Sequence, residues 1–111
     1  MGKTSQGELL QGTLPLLILR ILQAGPSHGF AIARRIETLS KDVLRAEEGS
    51  LYPALHRMEF EGWVDADWGT TENNRRAKYY RLTPLGRRQL KSETERWRAI
   101  ATAVFTILQE A

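Results

Sequence analysis

The sequence predicts a mainly α-helical domain that contains one small β-hairpin. Four segments place apolar residues at the spacing of an amphipathic helix, and the stretch before the fourth alternates apolar and polar residues as paired strands do. Glycine or proline marks most of the boundaries between these segments. With 111 residues, of which 41% are hydrophobic and 26% charged, the chain has the size and composition of one globular domain with a small core.

Cap and stop residues bound the first two predicted helices. Thr13 is a good N-cap and Pro15 fits a first turn, so the first helix is predicted to begin there, after a loose polar arm over residues 1–7. Gly25-Pro26 ends this helix, and Ser27 is predicted to cap the second. The apolar face of the first helix is formed by Leu14, Leu17, Ile18, Ile21 and Leu22. The buried side of the second is predicted to contain Phe30, Ile32, Ala33, Ile36 and Leu39.

The third predicted helix is short. It is expected to start near Gly49 or Ser50, because Pro53 is tolerated only within a first helical turn. Gly62 is expected to end it, and Val43-Leu44 before it is predicted as a very short strand. Its inward face consists of Leu51, Leu55 and Met58.

A hairpin and a long helix complete the chain. Residues 64–68 and 78–82 alternate as two half-buried strands, with Tyr80 and Leu82 on one face of the second, and residues 69–77 form the polar loop between them. Thr83-Pro84 is a cap followed by a proline at the first helical position. The final helix can run from there nearly to the end, which is about 40 Å at 1.5 Å per residue.

Two helices joined by a short turn and followed by a basic hairpin form the arrangement of a winged helix-turn-helix. Residues 50–61 are then the predicted recognition helix, and residues 70–78 the predicted wing. The charge pattern favours a polyanionic partner, because residues 73–91 contain seven basic side chains and no acidic one. Elsewhere the 13 acidic residues outnumber the remaining nine basic ones.

The predicted DNA contacts come from both elements. The helix residues are expected to read or position the groove, and the wing residues to hold phosphates. The predicted contacts are His28, Ser50, Tyr52, Pro53, His56, Asn74, Arg75, Arg76, Lys78 and Tyr80.

The last helix predicts a homodimer. Its apolar stripe has near-heptad spacing and is too long for one small head domain to cover. The predicted interface residues are Leu14, Leu17, Trp97, Ile100, Ala101, Val104, Ile107 and Leu108. Residues 1–83 are accordingly expected to form the DNA-binding domain and residues 84–111 the dimerisation helix, in one compact unit. Such a dimer presents two recognition helices one duplex turn apart, which favours a palindromic operator.

The chain resembles the short subgroup of the PadR family of transcriptional regulators over almost its whole length. The stretches that carry the resemblance are Gly12-Thr13-Leu14, residues 25–33 (GPSHGFAIA), residues 48–59 (EGSLYPALHRME), Gly62-Trp63-Val64, residues 76–83 (RAKYYRLT) and Gly86. The resemblance implies a homodimeric, usually repressing, winged helix in which Tyr52 is the family's helix tyrosine and Lys78 its wing base. Phe30 departs from the family's usual tyrosine and so lacks a hydroxyl.

The resemblance leaves alternatives open. Trp97 is either plain dimer core or, as in some repressors of this type, one wall of a pocket for a planar hydrophobic effector that releases the DNA. The fold itself also serves protein-interaction and RNA-binding modules, although such modules have no need of a basic wing.

Other functional classes are excluded or disfavoured. The chain has no cysteine, so it has no disulfide and no thiol nucleophile. His28 and His56 have no acidic partner at metal-ligand spacing, and the acids Glu47-Glu48 have no nearby nucleophile, so we expect no metal, no cofactor and no enzymatic activity. The longest apolar run, residues 14–19, is too short to span a bilayer, and a cytoplasmic location is expected.

Overall fold

Four helices surround a small antiparallel sheet in the structure, a computed structural model that describes residues 2–110 and the side chains of residues 12–110. The elements are α1 (Gly2–Leu22), β1 (Ser27–His28), α2 (Gly29–Leu39), α3 (Glu48–Phe60), β2 (Val64–Thr70), β3 (Arg76–Leu82) and α4 (Pro84–Glu110). The strand order is β1-β3-β2, with β3 in the centre. The predicted fold class, a winged helix-turn-helix with a long C-terminal helix, is confirmed.

The first helix begins well before its predicted start. Thr13 and Pro15 lie inside α1 rather than at its N-terminus, and residues 2–7 are helical instead of forming an arm; Met1 lies outside the described residues. A proline inside a helix removes one backbone hydrogen bond. The burial of Leu14, Ile18 and Leu19 around Pro15 holds the helix together despite that loss.

The turn between α1 and α2 contains a strand that the sequence did not predict. Ser27 and His28 pair with Tyr80 and Tyr79 of β3, so the backbone of Ser27 is committed to the sheet. The prediction that Ser27 caps α2 is therefore wrong. His28 is the cap, because its Nδ1 accepts a hydrogen bond from the N–H of Ala31 at 3.3 Å.

The inner face of α2 is narrower than predicted. Ile32 and Ile36 are buried, whereas Phe30 is 66% exposed and Leu39 is 63% exposed. The two exposed residues lie at the ends of the helix, where the core no longer reaches. Phe30 instead belongs to a surface groove described below.

The segment after α2 turns rather than forming the short strand predicted at Val43-Leu44. Lys41 and Asp42 have φ angles of 53° and 66°, which reverse the chain direction. The Ser40 side-chain oxygen then accepts a hydrogen bond from the N–H of Leu44 at 3.0 Å. Val43 and Leu44 belong to this turn and the irregular segment after it, and the third strand of the sheet is β1 instead.

The third helix starts at Glu48, slightly earlier than predicted, so Pro53 falls in its second turn. Its inward residues Leu51, Leu55 and Met58 are all buried, as predicted. Their burial holds α3 in place on both sides of the proline, as it does in α1. The helix ends before Gly62, whose φ of 81° suits glycine and confirms the predicted stop.

The hairpin is longer than predicted. Strand pairing continues outward to Thr70 and Arg76, so the connecting loop shrinks to residues 71–75. Val64 is buried at the inner end of β2, as its alternation predicted, but Trp68 near the outer end is 61% exposed. The hairpin therefore extends beyond the core and presents its outer half to solvent.

One hydrophobic core unites these elements. Its buried members are Leu14, Ile18, Leu19, Ile21, Leu22, Ile32, Ile36, Leu51, Leu55, Met58, Val64, Tyr80, Leu82 and Leu90. Leu90 belongs to α4, so the first turns of that helix pack into the head of the molecule. The rest of α4 projects away from it with exposed apolar side chains, among them Val104 and Leu108.

The junction between the hairpin and α4 is held by backbone and threonine contacts. The hydroxyl of Thr83 donates to the carbonyl of Gly62 at 2.6 Å and accepts from the N–H of Gly86 at 3.0 Å, which confirms Thr83 as the α4 cap. Gly86 packs so closely against this turn that an added Cβ would overlap the carbonyl oxygen of Trp63. Because that atom is backbone, it cannot rotate away.

We expect Gly86→Ala to lower the free energy of unfolding by roughly 1–3 kcal/mol, the usual range for overpacking. Urea denaturation followed by circular dichroism measures the change. Gly12→Ala is the matched control, because a Cβ at Gly12 in α1 meets nothing within 4 Å. Alanine there should stabilise the helix by about 0.5–1 kcal/mol. Equal stability of Gly86→Ala and the wild type would show that the contact is not tight.

Candidate nucleic-acid interface

The start of α2, the recognition helix α3 and the wing (residues 70–78) meet in one open groove. Its volume is about 1200 Å³, larger than the roughly 300–1,000 Å³ of pockets that enclose small ligands. The lining residues are Pro26, Ser27, His28, Gly29, Phe30, Ala31, Arg34, Arg35, Thr38, Tyr52, Trp68, Thr71, Glu72, Asn73, Arg75, Arg76, Ala77, Lys78, Tyr79 and Tyr80. Five are cationic and only Glu72 is acidic, so the groove suits an anionic polymer.

The packing of α3 decides which of its residues can reach a ligand. Tyr52, Pro53 and His56 are exposed on the outer face, and Ser50 is half-buried. Tyr52 alone of these four lines the groove. Ser50, Pro53 and His56 lie on the same helix but do not line the groove.

The ring of Tyr52 lies against the first residue of α2. A Cβ built on Gly29 would lie 2.8 Å from both Cε1 and Oη of Tyr52, so only glycine leaves room for the tyrosine in this position. Tyr52 remains 43% exposed. The contact lies at the junction of the two helices of the helix-turn-helix.

His28 stabilises the start of α2 and packs against the sheet. Its Nδ1 is engaged in capping α2, and its ring meets that of Tyr79 edge-to-face at a centroid distance of 5.2 Å. With Nδ1 accepting a hydrogen bond, the remaining ring nitrogen Nε2 is the one left to face the groove.

The tip of the wing is a compact turn. Asn74 has a φ of 59°, a left-handed conformation that asparagine tolerates better than most residues. Its N–H donates to the carbonyl of Thr71 at 2.9 Å, and the N–H of Arg75 donates to the hydroxyl of Thr71 at 3.2 Å. Asn74 thus shapes the turn that presents Arg75, whether or not its own side chain touches a ligand.

Arg76 is held by an aromatic ring that the sequence interpretation did not include in the site. Its guanidinium carbon lies 4.8 Å from the ring centroid of Trp68 on the paired strand. Stacking on an aromatic face leaves the N–H groups in the guanidinium plane free to donate to phosphate. The alternation of β2 was the available signal for Trp68, but it indicated a half-buried side chain.

Lys78 has a protein partner. Its Nζ donates to Oε1 of Glu59 on α3 at 3.0 Å, and this hydrogen bond raises the pKa of Lys78. The same ammonium lies 5.6 Å from the ring centroid of Tyr80. The predicted role of Lys78 as a phosphate contact therefore competes with an existing ion pair.

The predicted DNA contact at Tyr80 conflicts with the burial of that residue. Its side chain is only 5% exposed and belongs to the core, and burial raises the pKa of its hydroxyl. The residue faces inward because β3 is the central strand and its alternate side chains point at the helices. Tyr80 borders the groove, but little of its surface is open to a ligand.

The basic run of residues 73–91 is not one patch. Arg81 pairs with Asp67 across the hairpin at 2.6 Å, a contact that raises the pKa of Arg81. Arg87, Arg88 and Lys91 are exposed on α4 and none of them lines the groove. The run divides because β3 carries the chain away from the tip of the wing before α4 begins.

Two groove cations come from α2 and were missed in the sequence. Arg34 and Arg35 are exposed, and neither forms an ion pair within residues 12–110. Both line the groove together with the wing cations. Their position next to the buried Ile32 and Ile36, on the outer face of α2, was the available signal.

The predicted dimer residues divide into two groups. Leu14 is 2% exposed within one protomer and has no surface left for a partner, so its assignment to the interface is wrong; Leu17 is half-buried. The α4 residues remain largely uncovered. Their exposed fractions are Trp97 40%, Ile100 39%, Val104 49%, Ile107 62% and Leu108 70%, with Ala101 half-buried.

Within the described part of the chain, no three histidine, aspartate or glutamate side chains converge as metal ligands would. None of its helices has both the length and the apolar composition that a bilayer crossing requires.

Known proteins share this fold and this sequence pattern. A transcriptional regulator from Clostridium thermocellum superposes with a TM-score of 0.81 at 28% identity, over 89% of this chain and 96% of that one. A PadR-like transcriptional regulator from Bacillus cereus superposes with a TM-score of 0.79 at 27% identity, over 94% and 99% of the two chains.

Sequence comparison leads to the same group. The transcriptional regulator Rv3488 of Mycobacterium tuberculosis is 32% identical over 68 residues, which are 61% of this chain and 63% of that relative's length. The family described as transcriptional regulator PadR-like matches residues 18–92, which include both helices of the helix-turn-helix and the whole wing. Since that match spans more than half of the sequence, the chain belongs to the PadR-like family of transcriptional regulators.

Proposed function

We propose that this regulator is a homodimeric repressor that binds a palindromic DNA operator. The observation that carries the proposal is that Tyr52 of α3 and the cations of the wing line the same groove. A recognition helix and a basic wing on one side of the molecule can straddle a duplex, with the helix in the major groove and the wing on the adjacent backbone.

The recognition helix supplies the sequence preference in this proposal. Ser50, Tyr52, Pro53 and His56 lie on or beside the outer face of α3, where the exposed ring of Tyr52 can touch a thymine methyl and hydroxyl groups can reach phosphates. The N-terminus of α3 adds its positive dipole toward the backbone.

The proposed phosphate contacts come from two elements that line the groove, the wing and α2. Arg75 and Arg76 act from the wing, and Arg34 and Arg35 from α2, because all four line the same groove and guanidinium groups bind phosphate well. Such contacts are independent of sequence and set the affinity and its salt dependence.

The distal part of α4 is the proposed dimerisation element, with residues 1–83 as the proposed DNA-binding unit. Its apolar stripe would leave a larger patch in water than monomers usually expose, and pairing with a second copy covers it. Two heads joined in this way would present two recognition helices, which is the reason for a palindromic operator. A regulator of transcription acts where DNA is, so a cytoplasmic location is part of the proposal.

Release by a planar hydrophobic effector at Trp97 stays a hypothesis within this proposal. The ring of Trp97 is 40% exposed in one protomer, so a symmetry mate or a ligand can cover it. Contact with the symmetry mate and an effector pocket between the two Trp97 rings both require the dimer, so the dimer has to be established first.

Selection of bound fragments from a pool of random DNA duplexes, at a stated salt concentration, tests the proposal directly. We expect enrichment of a palindrome with half-sites about one duplex turn apart. Matched RNA duplexes are the control. Preference for RNA, or no enrichment at all despite binding, would favour an RNA-binding or protein-interaction module instead.

We expect Arg76→Ala and Tyr52→Ala to weaken DNA binding in different ways. Loss of a phosphate contact should reduce affinity for all sequences and lower the salt slope by about one unit. Loss of Tyr52 should reduce operator affinity by about 1–3 kcal/mol and affect random DNA much less. Fluorescence anisotropy titrations on both DNAs at several salt concentrations measure this. Equal losses on the two DNAs for Tyr52→Ala would contradict its assigned role.

The double substitution Arg34→Ala/Arg35→Ala should weaken binding to operator and random DNA alike and lower the salt slope by about two units. The matched control is Arg87→Ala/Arg88→Ala, which removes the same charge from α4, outside the groove. The same titrations compare the two. If the α4 variant loses as much binding as the α2 variant, net charge rather than the groove determines affinity.

A charge in the α4 stripe should separate the dimer. We expect Val104→Glu to give the mass of one chain at micromolar concentration by light scattering, because the carboxylate would be buried unpaired in the interface. Ala99→Glu adds the same charge on the opposite, exposed face of α4 and should keep the dimer. A wild-type mass of a single chain would remove the dimer from the proposal.

A further inference from the structure

One ion pair connects the recognition helix to the wing. Nζ of Lys78 on β3 lies 3.0 Å from Oε1 of Glu59 on α3, and these side chains are 34% and 36% exposed. Of the three salt bridges found among the described side chains, the other two lie within the hairpin and within α4. The Glu59–Lys78 pair is thus the charged contact that bridges the two DNA-facing elements.

The position of Glu59 on α3 is unusual for an acidic residue. It follows Tyr52 by seven positions and His56 by three, so all three lie on one stripe of the helix. A carboxylate on this stripe repels DNA phosphates unless it is neutralised. Lys78 neutralises it.

Lys78 is positioned from a second side as well. Its ammonium lies over the ring of Tyr80 at 5.6 Å from the centroid, and Tyr80 is buried in the core. The lysine is therefore placed between a fixed aromatic ring on its own strand and a carboxylate on α3. Such a lysine has less freedom to follow a phosphate than the exposed Arg75 at the tip.

We propose that Glu59 and Lys78 form a brace that sets the spacing between the recognition helix and the wing, and that both are positioning residues for operator binding. The inference rests on the proposed function. It assigns Lys78 a partner within the protein in place of the phosphate that the sequence suggested. Because the pair is neutral overall, its contribution lies in geometry and hence in specificity.

The brace and a phosphate contact by Lys78 predict opposite changes in DNA affinity when the charge of Glu59 is removed. Removing the negative charge of Glu59 should strengthen DNA binding if electrostatic repulsion alone matters, and if Lys78 becomes free to bind phosphate. The brace predicts the reverse for the operator, because the wing loses its fixed position. Glu61→Ala is the matched control, since Glu61 is exposed and has no ion pair within residues 12–110.

The experiment compares Glu59→Ala, Lys78→Met, the exchanged pair Glu59→Lys/Lys78→Glu and the Glu61→Ala control in anisotropy titrations. We expect each single substitution to weaken operator binding by about tenfold, the loss typical of one mispositioned base contact. The salt slope and the affinity for random DNA should change little, and the exchanged pair should recover most of the loss. Tighter operator binding by Glu59→Ala, or a slope lowered by about one unit in Lys78→Met, would overturn the brace.

Hydrogen exchange of the free protein tests the brace without DNA. Amide protons of β2 and β3 near Lys78 should exchange faster in Glu59→Ala and Lys78→Met than in the wild type and Glu61→Ala. Unchanged exchange in all variants would refute the brace even if the operator is bound. A wild type that binds no DNA selectively would refute the proposed function, and the exchange rates would still decide on the brace.

Discussion

The burial of Leu51, Leu55 and Met58 is the constraint on which the site depends. These three side chains fix the rotation of α3 about its axis, because turning the helix would expose them to water. With that face turned inward, Tyr52, His56 and Glu59 face outward as a single stripe. The same packing brings Tyr52 against Gly29, so the two helices of the helix-turn-helix share a contact in which a larger residue at position 29 would displace the tyrosine ring.

The central strand β3 organises the other half of the site. It pairs with β2 to build the wing and with β1 to tie the start of α2 to the same sheet. Its inward residues Tyr80 and Leu82 anchor it in the core, while the outer end carries Arg76 beyond the core. One strand thus connects the core to the exposed cationic tip. This arrangement can hold the charge of Arg76 at a constant distance from α3.

The charges of the hairpin are largely partnered in the free protein. Arg76 stacks on Trp68, Lys78 pairs with Glu59, and Arg81 pairs with Asp67. Surface pairs of this kind contribute little to stability, on the order of 0–1 kcal/mol each. Their larger effect is to select side-chain conformations before a ligand arrives, which reduces the ordering that binding must otherwise impose.

The sequence by itself determined the number and order of the helices, the hairpin and the inward residues of α3, because these follow from local periodicity and glycine stops. It also indicated Tyr52 and the wing as one basic, groove-facing site. Only the tertiary structure decided the rest. The strand at Ser27-His28, the inward turn of Tyr80, the split of the basic run and the pairing of Lys78 with Glu59 all depend on contacts between residues far apart in sequence, which periodicity does not encode.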